Sequence, residues 1–306
     1  MNAAVATAAT LTDFYRAHRR RLWLWAALVL SAVVVLLARD PLVEQGVLAP
    51  ELITLGSSAL LAVFGAALAC EYLDSSLGMG YGTTLTPLLL LAGFEPLQIV
   101  PAVLFSELVT GLTAGVMHHR DGNIDLRRDH HARRTFWLLA TLSAVGAISA
   151  VLLAIRLSTQ WFSLAIALIV LSMGLITLFT ARRQLRYRPA GILAIGSIAA
   201  FNKGLSGGGY GPLVTSGQVV SGVAPRQAVA ITSMAEALTC LIGLIAYLLL
   251  KGGIDWSLAL PLTAGALLSV PLATVTVRRL PEALIRGAVG VLTLTLGGLL
   301  ALKLLL

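Results

Sequence analysis

Charged residues are scarce in this chain. Of its 306 residues, 12% are aspartate, glutamate, lysine or arginine, and 58% are hydrophobic. A soluble domain carries about 25% charged residues, so this chain has too few polar groups to cover a globular surface in water. The composition therefore excludes a water-soluble protein and favours a polytopic membrane protein with lipid as its solvent.

Several signatures of chemistry are also missing. The two cysteines, Cys70 and Cys240, lie in separate apolar stretches without CxxC spacing, which favours small buried side chains over a metal or redox pair. There is no Walker loop, which argues against a primary pump, and no nucleophile–base arrangement nominates an enzyme. The histidines at 118–119 and 130–131 are interpreted as solvated loop residues. We therefore expect no enzyme activity, no metal and no cofactor.

Long apolar runs dominate the rest of the sequence. Nine regions are apolar, at about 22–38, 52–72, 97–117, 135–155, 161–180, 190–203, 227–250, 257–277 and 284–302. A helix needs roughly 20 apolar residues to cross the hydrocarbon. Two shorter apolar pieces, about 83–92 and 212–221, would reach only about halfway at about 1.5 Å per residue.

The positive residues of this chain, whose net charge is +8, cluster in loops beside the apolar runs. This pattern sets membrane orientation and does not indicate nucleic-acid binding. Basic segments at 16–21, 118–134, 182–188 and 278–286 predict a cytoplasmic N-terminus and a periplasmic C-terminus in a bacterial inner membrane. With those sides fixed, segments 52–96 and 190–225 must each enter and leave on one face, and the two faces are opposite.

A glycine-rich break occurs twice, at residues 78–82 and 207–211. An offset of 129 (209 − 80 = 129) aligns Gly80 with Gly209, Gly93 with Gly222, Pro96 with Pro225 and Glu107 with Glu236. With the loop charges, this match predicts two inverted-topology repeats, 51–181 and 182–306, each a broken re-entrant hairpin plus three transmembrane helices. Residues 1–50 would form a cytoplasmic arm and one extra helix. The predicted fold is all-α, with seven full spans and two opposed hairpins.

The breaks are the predicted binding site, because irregular backbone at membrane depth is tolerated only where it lines a cavity or is buried in protein. The short helices after the breaks, starting near Thr83 and Pro212, direct free N–H groups and a positive dipole end at the breaks. Two such starts could hold a small anion between them. Tyr81 and Tyr210 either line this site or fill space between helices. The candidate substrate-binding residues are Gly80, Tyr81, Gly82, Thr83, Thr84, Asn202, Lys203, Ser206, Gly207, Gly208, Gly209, Tyr210, Gly211 and Gln218.

Lys203 lies beside the second break, where the first half has Asp74 (203 − 129 = 74). A lysine at membrane depth costs about 2.5–3.5 kcal/mol on insertion scales, so it needs a partner. A bound anion, Glu107 and Glu236 are the candidates. Alternatively, Lys203 snorkels to an aqueous face.

Glu107 and Glu236 lie near the middle of their apolar spans, and each precedes a threonine by three residues, Thr110 and Thr239. A buried ionised carboxylate is expensive in a membrane, so such a group is expected to have a function. These residues could carry a proton, or ligate Na⁺ together with the threonine hydroxyl, and thus gate or couple transport. The alternative is a structural hydrogen bond that ties each helix to a glycine break.

The repeated break, the trailing proline and the glutamate eleven residues beyond it resemble the sulfite exporter TauE/SafE family of permeases over about residues 52–302. The resemblance implies an inner-membrane permease for small, often sulfur-containing anions such as sulfite or sulfoacetate. Met79 stands where the second break has Gly208, so the two halves depart from each other there.

The predicted function is secondary transport of a small organosulfur or oxyanion, gated by or coupled to protons. The expected partners are a small anionic substrate, a coupling proton or Na⁺ and the lipid bilayer, in a monomer or homodimer without nucleic acid. The alternative is a cation-selective permease or channel that uses the intramembrane carboxylates. A membrane sensor without transport activity is a third possibility.

Overall fold

The computed structural model of this protein describes Leu30 and residues 55–124, 130–180, 189–220, 223, 225–276 and 282–306. Residues 1–53 and 54–306 form separate units, and only the second is largely described. Apart from Leu30, the predicted N-terminal arm and the extra helix therefore lie outside the described residues. The basic clusters at 182–188 and 278–279 lie outside them as well.

The described part of the chain is helical and contains no strand, which confirms the all-α fold class. Its helices are α1 (Ser57–Leu77), α2 (Tyr81–Leu91), α3 (Pro96–Arg120), α4 (His130–Ala154), α5 (Thr159–Thr180), α6 (Pro189–Ser206), α7 (Tyr210–Val220), α8 (Pro225–Lys251), α9 (Trp256–Thr276) and α10 (Glu282–Leu305). The short helices α2 and α7 begin two residues before Thr83 and Pro212, the starts that the sequence predicts.

Among the described residues, seven helices are long and apolar enough to cross a membrane: α1, α3, α4, α5, α8, α9 and α10. The protein is thus a multi-pass membrane protein, as predicted. Six of these helices coincide with predicted spans. The seventh is α1, which the sequence assigns to a hairpin. It qualifies as a span because the helix continues beyond the apolar run at 52–72 as far as Leu77.

Both glycine breaks interrupt a helix through left-handed backbone. Gly78 and Gly207 have φ values of 69° and 70°, and Gly80 and Gly209 have φ values of 129° and 81°. Side chains with a Cβ rarely adopt these conformations, so glycine is needed at all four positions. Gly78 caps α1 by donating its N–H to the carbonyl of Asp74 (2.6 Å), and Gly207 does the same to Lys203 (2.9 Å).

Each major contact between helices of the two halves has a counterpart between the corresponding helices. Under the offset of 129, α1–α5 correspond in order to α6–α10. Helix α1 of the first half packs on α9 of the second, and correspondingly α6 packs on α4. The central helices α3 and α8 pack on each other, as do α5 and α10. The two halves are therefore intertwined, and both glycine breaks lie in the shared interior.

Two residues that the sequence places in solvated loops are buried in helices instead. His118 is fully buried on α3, and its Nδ1 lies 2.9 Å from the side-chain amide nitrogen of Asn123. Arg286 is 3% exposed on α10 and donates to the hydroxyl of Ser216 (3.0 Å). The loop prediction is wrong for His118 because α3 continues beyond the apolar run at 97–117 as far as Arg120, and for Arg286 because α10 already begins at Glu282.

Candidate functional site

The two glycine breaks touch each other backbone to backbone in the interior. A Cβ added to Gly82 would lie 2.5 Å from the carbonyl carbon of Gly207, and one added to Gly211 would lie 2.8 Å from that of Gly78. Residues 82 and 211, like 78 and 207, are related by the offset of 129. The contact is therefore reciprocal, and it brings together the breaks that the sequence nominates.

Threonine hydroxyls flank this crossing in matched positions. Thr215 donates its hydroxyl to the carbonyl of Gly78 (2.8 Å), and the same hydroxyl lies 2.8 Å from the hydroxyl of Thr232. Its repeat equivalent is Thr86 (86 + 129 = 215), whose hydroxyl would lie 3.2 Å from a Cβ at Gly207. Neither threonine is among the residues predicted from the sequence, although their matched register after each break is a signal that could have identified them.

We expect Thr215→Val to lower the free energy of unfolding by about 1–2 kcal/mol, because the carbonyl of Gly78 loses its donor inside the protein. The matched variant is Thr86→Val. The Thr86 hydroxyl is buried without a hydrogen-bond partner among the described residues, so its removal should change stability by less than about 0.5 kcal/mol. Thermal unfolding of the purified variants in detergent measures the difference. Equal effects of the two substitutions would contradict the assigned role of Thr215.

The start of α2 is partly occupied by groups of the protein itself. The N–H of Tyr81 donates to the Asp74 carboxylate (3.3 Å), and the N–H of Thr84 donates to the carbonyl of Gly80 (3.0 Å). The predicted free amide of Thr84 is therefore used within the helix. In contrast, the side-chain hydroxyls of Thr83 and Thr84 are buried and have no hydrogen-bond partner among the described residues.

The second break is arranged differently. Ser206 receives the N–H of Gly208 on its hydroxyl (3.1 Å) and donates that hydroxyl to the carbonyl of Asn202 (2.8 Å). The Asn202 side chain borders Gly209, where an added Cβ would lie 3.1 Å from the Asn202 Cβ. At the position equivalent to Asp74 this half carries Lys203, so no carboxylate occupies the corresponding place before α7.

Lys203 is fully buried and forms ion pairs with both predicted glutamates. Its Nζ contacts Oε2 of Glu107 and lies 2.7 Å from Oε1 of Glu236. Both carboxylates lie near the middle of α3 and α8, at most 7% of either side chain is exposed, and the second oxygen of Glu107 has no hydrogen-bond partner in the described residues. The alternative that Lys203 snorkels to water is wrong, because its side chain is completely enclosed between α3 and α8.

Two further carboxylates, Glu71 and Asp74, lie in the same buried region. Glu71 accepts hydrogen bonds from the hydroxyls of Ser75 (2.6 Å) and Thr110 (3.2 Å). Both acidic side chains are under 10% exposed, and Glu236 of α8 lies near enough to interact electrostatically with both. Asp74 was identified from the sequence as the equivalent of Lys203. Glu71 was not identified, although its position inside an apolar run was an available signal.

Neither threonine that follows a predicted glutamate by three residues donates its hydroxyl to that glutamate. The hydroxyl of Thr110 contacts Glu71, not Glu107. The hydroxyl of Thr239 donates to the carbonyl of Ala235 (3.0 Å) and lies 2.5 Å from that of Ser143. Within the described ranges, no group of three histidine, cysteine or acidic side chains is arranged to hold a metal ion.

The remaining predicted residues are placed as follows. Tyr81 and Tyr210 are completely buried beside the breaks, and the hydroxyl of Tyr81 is 2.8 Å from that of Ser106. Gln218 donates a hydrogen bond from its side-chain amide to the Thr232 hydroxyl (3.0 Å), which connects α7 to α8. Cys70 and Cys240 are free and buried, as predicted.

The charges of this region do not balance. Glu71, Asp74, Glu107 and Glu236 surround one lysine, so full ionisation would leave a formal charge of −3 (four carboxylates minus one lysine) in a buried volume. Isolated charges at membrane depth are costly, so the cluster requires protons or a cation for neutrality. The candidate site thus combines the backbone crossing of the two breaks with a cluster of four carboxylates around one lysine.

Comparison with known proteins agrees with a transport function. The family model described as Sulfite exporter TauE/SafE matches residues 61–300. The chain is also 29% identical over 235 residues to a protein of Bacillus subtilis (strain 168) named Probable membrane transporter protein YtnM. That alignment covers 72% of this chain and 75% of the relative. No solved structure matches the chain.

Proposed function

Since this chain belongs to the sulfite exporter TauE/SafE family, and hence to a family of membrane transporters, we propose that it carries a small organosulfur or oxyanion, such as sulfite or a sulfoacetate-type sulfonate. The substrate binds where the two glycine breaks cross. We further propose that transport is coupled to protons held by the buried carboxylates. The membrane is the bacterial inner membrane, with the N-terminus cytoplasmic and the C-terminus periplasmic.

The observation that carries the substrate site is the set of unpartnered hydroxyls at the crossing. Buried polar groups in folded proteins nearly always have hydrogen-bond partners, so exceptions call for a ligand or water. Thr83, Thr84 and Thr86 are each at most 4% exposed, and none of their hydroxyls has a partner in the described structure. All three lie in the first turns of α2, whose dipole favours an anion. An oxyanion could accept hydrogen bonds from these hydroxyls.

Protonation provides the link between anion and coupling ion. Lys203 is already neutralised by Glu107 and Glu236, so it attracts an anion only weakly while both are ionised. Lys203, Glu107 and Glu236 together carry a formal charge of −1 (one lysine minus two carboxylates), so a proton on one carboxylate of the cluster lowers the negative charge next to the second break. The anion and the proton would then bind together, because each lowers the electrostatic cost of the other.

The two halves are proposed to form inverted-topology repeats. Reciprocal contacts between residues 82 and 207 and between residues 211 and 78 support a pseudo-two-fold relation between the breaks. The equivalent contacts of α1 with α9 and of α6 with α4 support the same relation. Such repeats place a substrate at their interface and allow alternating access by rocking one half on the other.

Thr83→Val and Thr84→Val test the substrate site. Valine keeps the shape of threonine and removes a hydroxyl that has no protein partner, so the fold should be unaffected. We expect sulfite or sulfoacetate to raise the melting temperature of the wild-type protein, and each substitution to weaken binding about tenfold, in line with a lost hydrogen bond to a charged group of about 1.5 kcal/mol. Ligand titration by thermal shift and uptake into proteoliposomes measure both effects.

Thr263→Val is the matched control. The Thr263 hydroxyl is also buried but donates to the carbonyl of Ala259 in its own helix (2.7 Å), so this variant should bind anions like the wild type. Undiminished anion binding in Thr83→Val and Thr84→Val would place the substrate elsewhere. The proposed function fails if no small oxyanion stabilises the wild-type protein or crosses the liposome membrane.

The excess of buried carboxylates favours one second candidate, a cation-selective permease. In that case Glu71, Asp74, Glu107 and Glu236 would bind the transported cation, and a charge-selective current would follow the cation gradient. The reversal potential under opposed anion and cation gradients separates the two candidates.

A further inference from the structure

Glu71 differs from the other carboxylates of the cluster in its partners. Both of its oxygens accept hydrogen bonds from neutral hydroxyls, those of Ser75 and Thr110. Glu107 and Glu236, by contrast, contact the ammonium group of Lys203 directly. No lysine or arginine of the described ranges contacts Glu71, and the side chain is 2% exposed. An ionised Glu71 would therefore lack a counter-charge in its immediate surroundings.

The groups around Glu71 increase this imbalance. The titratable side chains that interact with Glu71 are Cys70 and Asp74 on α1, Tyr81 on α2, and Glu236 and Cys240 on α8. Lys203 on α6 pairs with Glu236 and with Glu107 on α3. Helix α9, which packs along α1, contains no titratable side chain. This one lysine is shared by two glutamates, so the charged groups around Glu71 are mainly acidic.

Glu71 lies close to both the ion-paired glutamates and the first glycine break. Thr110, its hydroxyl donor on α3, lies three residues from Glu107, so both side chains project from one side of that helix. On α1, Asp74 follows Glu71 by three residues and accepts the N–H of Tyr81 at the glycine break. Glu71 is thus hydrogen-bonded to the helix that carries Glu107, and it lies one helical turn from the carboxylate that contacts the start of α2.

We propose that Glu71 is the residue that holds the coupling proton, and that Glu107 and Glu236 serve to neutralise Lys203. This inference rests on the proposed function and deepens it. One proton binds to one oxygen of the Glu71 carboxylate and leaves again in each cycle, with no other bond made or broken. The repeat equivalent is Ala200 (71 + 129 = 200), so only the first half supplies this group.

Glu71→Gln in proteoliposomes tests the proposal through two transport modes. Exchange of labelled sulfite at equal pH on both sides requires substrate binding but no net proton movement. Accumulation driven by a pH gradient requires substrate binding and net proton movement. We expect the exchange rate of Glu71→Gln to stay within about twofold of the wild-type rate. Its gradient-driven accumulation should fall at least tenfold. Glu71→Asp, which restores a carboxylate, should recover part of the accumulation.

Glu95→Gln is the control carboxylate, since Glu95 caps the start of α3 away from the cluster and glutamine can accept the same backbone N–H. It should behave as the wild type in both modes. Gradient-driven accumulation that persists in Glu71→Gln would overturn the proposal, as would an equal loss of exchange and accumulation.

Infrared spectroscopy provides a readout that does not depend on transport. The absorption of protonated carboxyl groups in the wild-type protein at neutral pH should decrease in Glu71→Gln and remain in Glu95→Gln. An unchanged absorption would contradict proton storage at Glu71. If the absorption decreases but the wild type moves no oxyanion, the proton site stands while the proposed substrate fails.

Discussion

Gly82→Ala is expected to destabilise the protein by about 3 kcal/mol or more and to abolish transport. Overpacking of a well-packed interior costs about 1–3 kcal/mol even where side chains can move aside. Here the added methyl group would meet backbone, the carbonyl carbon of Gly207 at 2.5 Å and the Cα of Gly208 at 2.7 Å. The breaks would have to separate, which removes the crossing itself. Yield, monodispersity and thermal unfolding in detergent provide the measurement.

Gly65→Ala provides the control on α1, because a Cβ at Gly65 has no neighbour within 4 Å. This substitution should be neutral or slightly stabilising, since alanine has the higher helix propensity. Gly211→Ala should reproduce the effect of Gly82→Ala, because its added Cβ would lie 2.7 Å from the Cα of Met79. A Gly82→Ala protein as stable as Gly65→Ala would show that the breaks do not touch.

Lys203→Met is expected to lower the free energy of unfolding by about 3–5 kcal/mol, the usual cost of removing one partner of a buried ion pair. Methionine approximates the length of lysine, so packing changes little. The loss comes from leaving Glu107 and Glu236 buried without a counter-charge. Thermal unfolding of the variant at neutral pH measures this loss.

The compensating triple variant Lys203→Met, Glu107→Gln and Glu236→Gln should recover most of the stability, because no unpaired charge remains. Lys303→Met is the matched single control. Lys303 is exposed at the end of α10 and donates to the carbonyl of Leu90 (3.1 Å), so its loss should cost about 1 kcal/mol or less. If the triple variant were no more stable than Lys203→Met, the ion pairs would not explain the role of Lys203.

Much of the architecture could be predicted from apolar runs and glycine positions. The runs are long because lipid replaces water around the helices, so hydropathy alone located six of the seven candidate spans. The breaks were predictable because positive φ angles inside a membrane helix demand glycine, as at Gly78 and Gly207. Glu71 was not predicted as a site residue, because a single carboxylate in an apolar run gives no indication of its partners.

Side-chain partners were the least predictable part of the site. Thr110 was expected beside Glu107, yet it bonds to Glu71, because a threonine on α3 can face either of the helices packed there. His118 and Arg286 were assigned to solvated loops, whereas helix ends bury them. Burial of a polar side chain depends on which helix end covers it, and the covering residues are distant in sequence.

The sequence by itself determined a helical membrane protein with two matched breaks, because composition and glycine spacing act locally along the chain. Only the tertiary structure decided that the breaks cross, that Lys203 is shared by Glu107 and Glu236, and that Glu71 has no cation beside it. These facts depend on contacts between residues far apart in sequence, such as Gly82 with Gly207 (207 − 82 = 125 positions) and Glu107 with Lys203 (203 − 107 = 96 positions). Electrostatic interactions act through space, so the charge balance of the site emerges only when α1, α3, α6 and α8 are packed together.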